Sequence, residues 1–219
     1  MFVYRACPER RNNISTRLKR DNGSHPSQKR TGGKNKMIPE KQKKFLEGYD
    51  GSCKGRYHIA YLAILGIAGG EEVKEEAIKK YGREKYVPDE MYPLKEAVSI
   101  IHYGMERGIP AERMGRMVAQ SYKRSSPEIF DNLTHDRVID LLLLAYSSET
   151  DVGDMLTVEH REPGKILVSR KDSIQPCEFF IGVVNGAFQI AELDAQIREV
   201  SCQWKEDNDK CVYEVTWDE

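Results

Sequence analysis

MLTVEHREPGKILVSRKDSIQPCEFFIGVVNGAFQIAELDAQIREVSCQWKEDNDKCVYEVTW, residues 155–217, changes its hydrophobic period twice, and these changes decide the fold. Leu156, Val158 and His160 alternate with polar residues, Glu162-Pro163-Gly164 supplies a turn, and Ile166 and Val168 resume the alternation. That is the pattern of a β-hairpin. Cys177–Ala191 then reads as a helix, with Phe180, Ile181, Val184, Phe188 and Ala191 on one buried face. Gly182 and Gly186, four residues apart, are expected to let this helix lie close against the sheet. Gln196–Gln203, a polar turn at Lys205–Lys210 and Cys211–Trp217 make a second hairpin. A turn centred between Glu206 and Asp207 sets Cys202 opposite Cys211 and Val200 opposite Tyr213.

Upstream, from Ile38 to about Leu144, apolar residues recur at helical spacing and Gly or Pro punctuates them. Helices are predicted over Glu40–Gly48, Gly55–Ala68, Glu71–Tyr81, Tyr92–Arg107, Ala111–Lys123 and Thr134–Ala145. In the last of these Thr134 is placed as an N-cap. The block Val138, Ile139 and Leu141–Leu144 covers most of its surface, which predicts a central helix. The fold class is therefore α+β: a helical N-terminal half, residues 38–147, followed by a four-stranded antiparallel ββαββ sheet, residues 152–217, with one helix packed across it.

The formal net charge of −1 hides an asymmetry. Residues 1–36 hold ten Lys and Arg against Glu9 and Asp21, which predicts a basic, disordered extension ahead of a single ligand-binding domain over 37–219. Such a tail suits phosphate contacts, but it lacks the interleaved aromatics of a nucleic-acid surface, and nucleic acid is not expected as a partner. No apolar run reaches the ~18 residues of a membrane span, and Met1–Cys7 has no secretory pattern, so the expectation is a cytoplasmic protein. The cysteines, Cys7, Cys53, Cys177, Cys202 and Cys211, are five at irregular spacings, which argues for reduced thiols. Cys53, in a Gly-rich turn, is expected to be exposed.

Phe179-Phe180-Ile181-Gly182-Val183-Val184-Asn185-Gly186, then Val200-Ser201-Cys202, then Lys210-Cys211-Val212-Tyr213-Glu214-Val215-Thr216-Trp217 resemble the closing half of a 4-vinyl-reductase-like (hydrocarbon-binding) domain. That group is distantly related to the H-NOX haem domains and to vesicle-tethering subunits of the TRAPP type. The resemblance implies a binder enclosing a hydrophobic or porphyrin-like small molecule between its helices and its sheet, in a sensory or regulatory role. It implies two alternatives: an H-NOX-like haem gas sensor or tetrapyrrole-processing enzyme, and an interaction module acting as a homodimer.

For the leading reading the ligand-binding candidates are His102, Tyr103, His160, Phe180 and Val184, with His58 and Tyr61 also on or beside apolar helix faces. His160 falls on the apolar strand face by alternation and either points at the cavity or caps its hairpin. Haem, as cofactor, would need His135 as axial ligand and a Tyr-x-Ser-x-Arg motif about thirty residues on. The corresponding positions, Ser169, Lys171 and Ser173, do not supply the motif, so no cofactor is assigned and His135 is read as a partly exposed first-turn residue. Cys202 and Cys211 are weak metal candidates, with Cys177 or His160 as further ligands; two facing thiols are half a zinc site. No catalytic residue is assigned, because no Ser-His-Asp order, phosphate loop, HExxH or dinucleotide fingerprint is present.

Overall fold

The computed structural model describes residues 38–125, 127–151 and 156–218. The expected basic extension over 1–36 lies outside them. The helical half consists of α1 (Glu40–Glu47), α2 (Gly55–Gly69), α3 (Glu71–Tyr81), α4 (Leu94–Glu106), α5 (Ala111–Ser125) and α6 (His135–Glu149). A short ribbon, β1 (Ser52–Lys54) against β2 (Met91–Pro93), is inserted among them. There follow β3 (Thr157–Glu162), β4 (Lys165–Arg170), α7 (Cys177–Ile190), β5 (Gln196–Ser201) and β6 (Cys211–Thr216). The four long strands form one antiparallel sheet in the order β3-β4-β6-β5. The fold is α+β.

The β1–β2 ribbon corrects two expectations. Pro93 ends a strand instead of sitting inside a helix, so α4 begins at Leu94. Cys53 pairs with Tyr92 in that ribbon and bridges Thr150, which buries it completely.

The central helix is α7 and not α6. Phe179 and Val183 belong to the core of the helical half, whereas Phe180, Val184, Ala187 and Phe188 belong to the core under the sheet. An α-helix can serve two cores only if it is apolar nearly all round, as Phe179-Phe180-Ile181-Gly182-Val183-Val184 is. Its glycines face α5, not the sheet. A Cβ on Gly182 would lie 2.1 Å from the backbone oxygen of Glu112, and one on Gly115 of α5 would lie 2.1 Å from that of Phe179. The two helices thus meet backbone to backbone. Gly182→Ala forces them apart and is expected to cost about 2–3 kcal/mol of stability, read as a lower urea midpoint at unchanged slope; an unchanged midpoint would show the crossing to be slack.

Two β-bulges interrupt the alternation. In β3, Val158 faces Val168 but His160 already faces Leu167, so Glu159 is the extra residue. In β5, Glu199 faces Tyr213 and Ser201 faces Val212, so Val200 is extra and half exposed instead of opposing Tyr213. One inserted residue exchanges the faces of everything beyond it.

Candidate functional site

A cavity of about 220 Å³ lies among four helices. Tyr57 and Tyr61 line it from α2, Val118 and Tyr122 from α5, Leu141, Leu142 and Ala145 from α6, and Phe179 and Val183 from α7. Ile129, from the short helical turn Pro127–Phe130, and Leu144 are exposed lining residues. The excess of apolar residues on α6 has its explanation here: that helix buries Ile139 and turns Val138, Leu141, Leu142, Leu144, Ala145 and Tyr146 to the cavity.

Among the described residues no Lys, Arg, His, Asp or Glu lines the cavity. Its polar groups are chiefly tyrosine hydroxyls, and burial pushes the pKa of Tyr122 up to about 12 and those of Tyr57, Tyr61 and Tyr146 above the usual phenol value. They stay neutral at physiological pH. Gln175 ties two of them together: its Nε2 donates to Tyr61 Oη (3.4 Å), and its Oε1 accepts from Tyr146 Oη (3.0 Å). Gln42 holds the segment in place by donating from Nε2 to the carbonyls of Ile174 and Gln175, each at 3.1 Å.

The residues singled out in the sequence lie elsewhere. Phe180 and Val184 are fully buried under the sheet, one position round α7 from the lining residues Phe179 and Val183. His102 is buried on α4, its Nε2 without a hydrogen-bond partner among the described residues, and burial followed by the charge of Lys43 lowers its pKa to about 4. Tyr103, on the same helix, bonds Glu76 of α3 and accepts from Arg107 Nε (2.9 Å). The bulge at Glu159 turns His160 outward, where Nε2 stands 3.4 Å from a Glu162 oxygen. His135 opens α6 under the Thr134 cap, with Nε2 2.9 Å from the Asp194 carbonyl and its ring stacked on Trp217 at 4.6 Å and 4°. Tyr61 alone of the wider set reaches the cavity. Helix face, not residue type, made the difference.

A second constellation lies where α7 begins over the sheet. Sγ of Cys177 is 3.7 Å from that of Cys202 and 3.6 Å from that of Cys211, and the last two are 3.9 Å apart. These distances exceed a disulfide bond of about 2.05 Å. They match the ~3.8 Å edge of a tetrahedron built on zinc–sulfur bonds of about 2.3 Å. Glu199 brings a carboxylate oxygen so that all four ligand atoms lie within 4.8 Å of one another. Its Oε2 bonds Lys205 (2.6 Å), and its Oε1 is buried without a hydrogen-bond partner among the described residues.

The bulge at Val200 makes the set possible. Strict alternation would put Glu199 and Cys202, three residues apart, on opposite faces; the extra residue returns both to the inner face. Hydrogen bonds from the other two thiols, then from the backbone N–H groups of Trp204 and Lys205, hold the Cys202 thiol well below the usual thiol range. Cys177, which supplies a proton to its neighbours, is held above it. The sequence pointed to Cys202 facing Cys211 and to Cys177 as a further ligand. Glu199 was missed, because nothing local marks a bulge.

The chain matches no protein-family model and no curated protein sequence. Its fold resembles solved H-NOX structures. One is an H-NOX protein from S. oneidensis in the Fe(II)NO ligation state, with a TM-score of 0.62 and 16% identity over 76% of this chain and 99% of that one. A mutated S. oneidensis H-NOX in the Fe(II) state gives 0.63 and 17% over 76% and 96%. A point mutant of T. Tengcongensis H-NOX gives 0.58 and 16% over 74% and 96%. At such identities the likeness is one of fold.

Proposed function

We propose that this chain is a small-molecule-binding module of H-NOX-like fold, of the 4-vinyl-reductase-like kind, which takes a compact uncharged apolar ligand between α2, α5, α6 and α7. The observation that carries this reading is the cavity itself. An apolar cavity of about 150 Å³ is enough for benzene, so 220 Å³ admits a substituted single ring or a short branched chain. Apolar walls supply the affinity, and the Tyr61 hydroxyl, which accepts from Gln175, has its proton left to donate and so fix orientation. The thiols and Glu199 would hold a zinc ion as a structural clamp between α7 and the β5–β6 hairpin.

Haem is the alternative that the fold neighbours raise, since their ligation states name Fe(II). The residues of this chain do not fit it. Haem iron needs an axial side chain such as His, Cys, Met or Tyr facing the porphyrin, and the propionates need cations or donors. Among the described residues no histidine or cation lines the cavity, burial keeps its tyrosines protonated and so opposes a tyrosinate ligand, and His135 is engaged with Asp194 and Trp217. Its volume is also below the roughly 300–1,000 Å³ typical of pockets for drug-sized ligands.

The test is a thermal shift with ethylbenzene as probe, together with a hemin titration. Ethylbenzene is expected to raise the melting temperature of the wild type, and Ala145→Phe, which fills the space from α6, to weaken binding at least about tenfold, the cost of roughly 1.4 kcal/mol. Hemin is expected to give no sharpened Soret band that depends on His135. A null result with ethylbenzene together with a His135-dependent Soret band would reverse the order of the two readings. No helix among the described residues is long and apolar enough to cross a membrane.

A further inference from the structure

Arg170, the last residue of β4, is the largest fully buried side chain among the described residues, at 0% exposure. Its Nη2 donates to Gln175 Oε1 (2.9 Å), while Nε and Nη1 are buried with no hydrogen-bond partner among the described residues. The ring faces of Phe180 (4.6 Å) and Tyr146 (5.5 Å) lie against the guanidinium. Cation–π contact offsets only part of the cost of burying an ion, even after relaxation. An arginine in this position therefore calls for a counter-charge.

The strand register names where that charge comes from. Arg170 is the direct cross-strand partner of Cys211, so both side chains stand on the inner face of the sheet. Behind Cys211 lie Cys177 and Cys202, and Glu199 completes the set. A divalent ion held by three thiolates and a carboxylate is a doubly negative complex, itself costly to bury. On the polar side Lys205 meets Glu199, at 2.6 Å. On the dry side the charge of Arg170 acts on Cys177 and Cys211.

We propose that Arg170 is a positioning residue for the metal site, the built-in counter-charge that lets a buried cluster of three thiolates and one carboxylate hold a divalent thiophilic cation. The inference rests on the reading of the Cys177, Glu199, Cys202 and Cys211 cluster as a metal site. Arg170 also joins the two sites of the molecule, because the Gln175 oxygen that it bonds accepts from Tyr146 of the cavity wall. In the loaded state Arg170 offsets one of the two negative charges, Lys205 being shared between Glu199 and Glu178; in the metal-free state the charge of Arg170 is left uncompensated.

Replacement of this arginine by a neutral side chain of similar length therefore acts in opposite directions on the two states. The full chain is prepared as wild type, Arg170→Met and Arg170→Lys, with Arg170→Gln as a second neutral variant should the first fail to fold. Zinc affinity is measured by competition with a chromophoric chelator, Co(II) substitution reports the thiolate–metal charge-transfer band, and thermal melts are taken without metal. A neutral variant is expected to bind zinc about 10–100-fold more weakly and, metal-free, to melt no lower than wild type. Arg170→Lys is expected to recover most of the affinity and the Co(II) band. Equal zinc affinity in a neutral variant overturns the proposal, as does a loss that lysine does not rescue, since both describe a packing role. A wild type that binds zinc no more tightly than Cys211→Ser removes the metal reading itself, an outcome distinct from either.

Discussion

Cys211→Ser is expected to lose the bound zinc and to lower the melting temperature by about 10 °C. At free zinc a thousandfold above the dissociation constant, a site present only in the folded state contributes about 4 kcal/mol, and a domain of this size shifts by about 2–4 °C per kcal/mol. The geometry makes the effect specific. Three sulfurs already at tetrahedral spacing need little rearrangement to take the ion, whereas a serine oxygen is a poor ligand where a thiolate is required. A chelator should bring the wild type down to the melting temperature of the variant and leave the variant unchanged. Metal analysis by mass spectrometry that finds no zinc in the wild type, with no effect of chelator on its melting, would refute the assignment.

The second large effect is an acid sensitivity carried by His102. Its pKa in the folded protein is lowered to about 4 from the ordinary 6.5, by burial first and by Lys43 second. Below pH 6.5 the unfolded chain takes up a proton at this position that the folded chain refuses. Stability is therefore complete above pH 6.5, falls as the pH drops towards 4, and levels off below that. The difference in pKa corresponds to roughly 3 kcal/mol. Urea unfolding of wild type and His102→Leu across this range isolates the contribution, because the carboxylates titrate in both. The variant should lose roughly 3 kcal/mol less than the wild type between pH 6.5 and 4; parallel curves would show that His102 is protonated without penalty.

His102 also illustrates how far residue type can mislead. A histidine on the apolar face of a helix is a natural candidate for a ligand pocket, but the face that carries it is packed into the helical core and not turned to the cavity. The same applies to Phe180 and Val184. They lie on a helix that lines the cavity, and a rotation of one residue separates them from the lining positions Phe179 and Val183. A helix apolar on all sides offers no periodicity from which to choose a face. On α6 the surplus of leucines serves both purposes: Leu141, Leu142 and Leu144 line the cavity and Leu143 packs on the core under the sheet, and in sequence the two are indistinguishable.

The sequence by itself determined the main elements, though not the β1–β2 ribbon: six helical stretches, two hairpins with a helix between them, and Cys202 set near Cys211. These follow from periodicity, turn residues and caps, which act over a few neighbouring positions. Only the tertiary structure decided which faces meet. The bulge at Val200 brings Glu199 to the three thiols, the bulge at Glu159 sends His160 to solvent, and the backbone contact of Gly115 with α7 joins two of the cavity's walls, α5 and α7. The charge of Arg170 was visible in the sequence, but its burial opposite Cys211 was not, because burial is a property of the assembled sheet and helix and not of any residue within them.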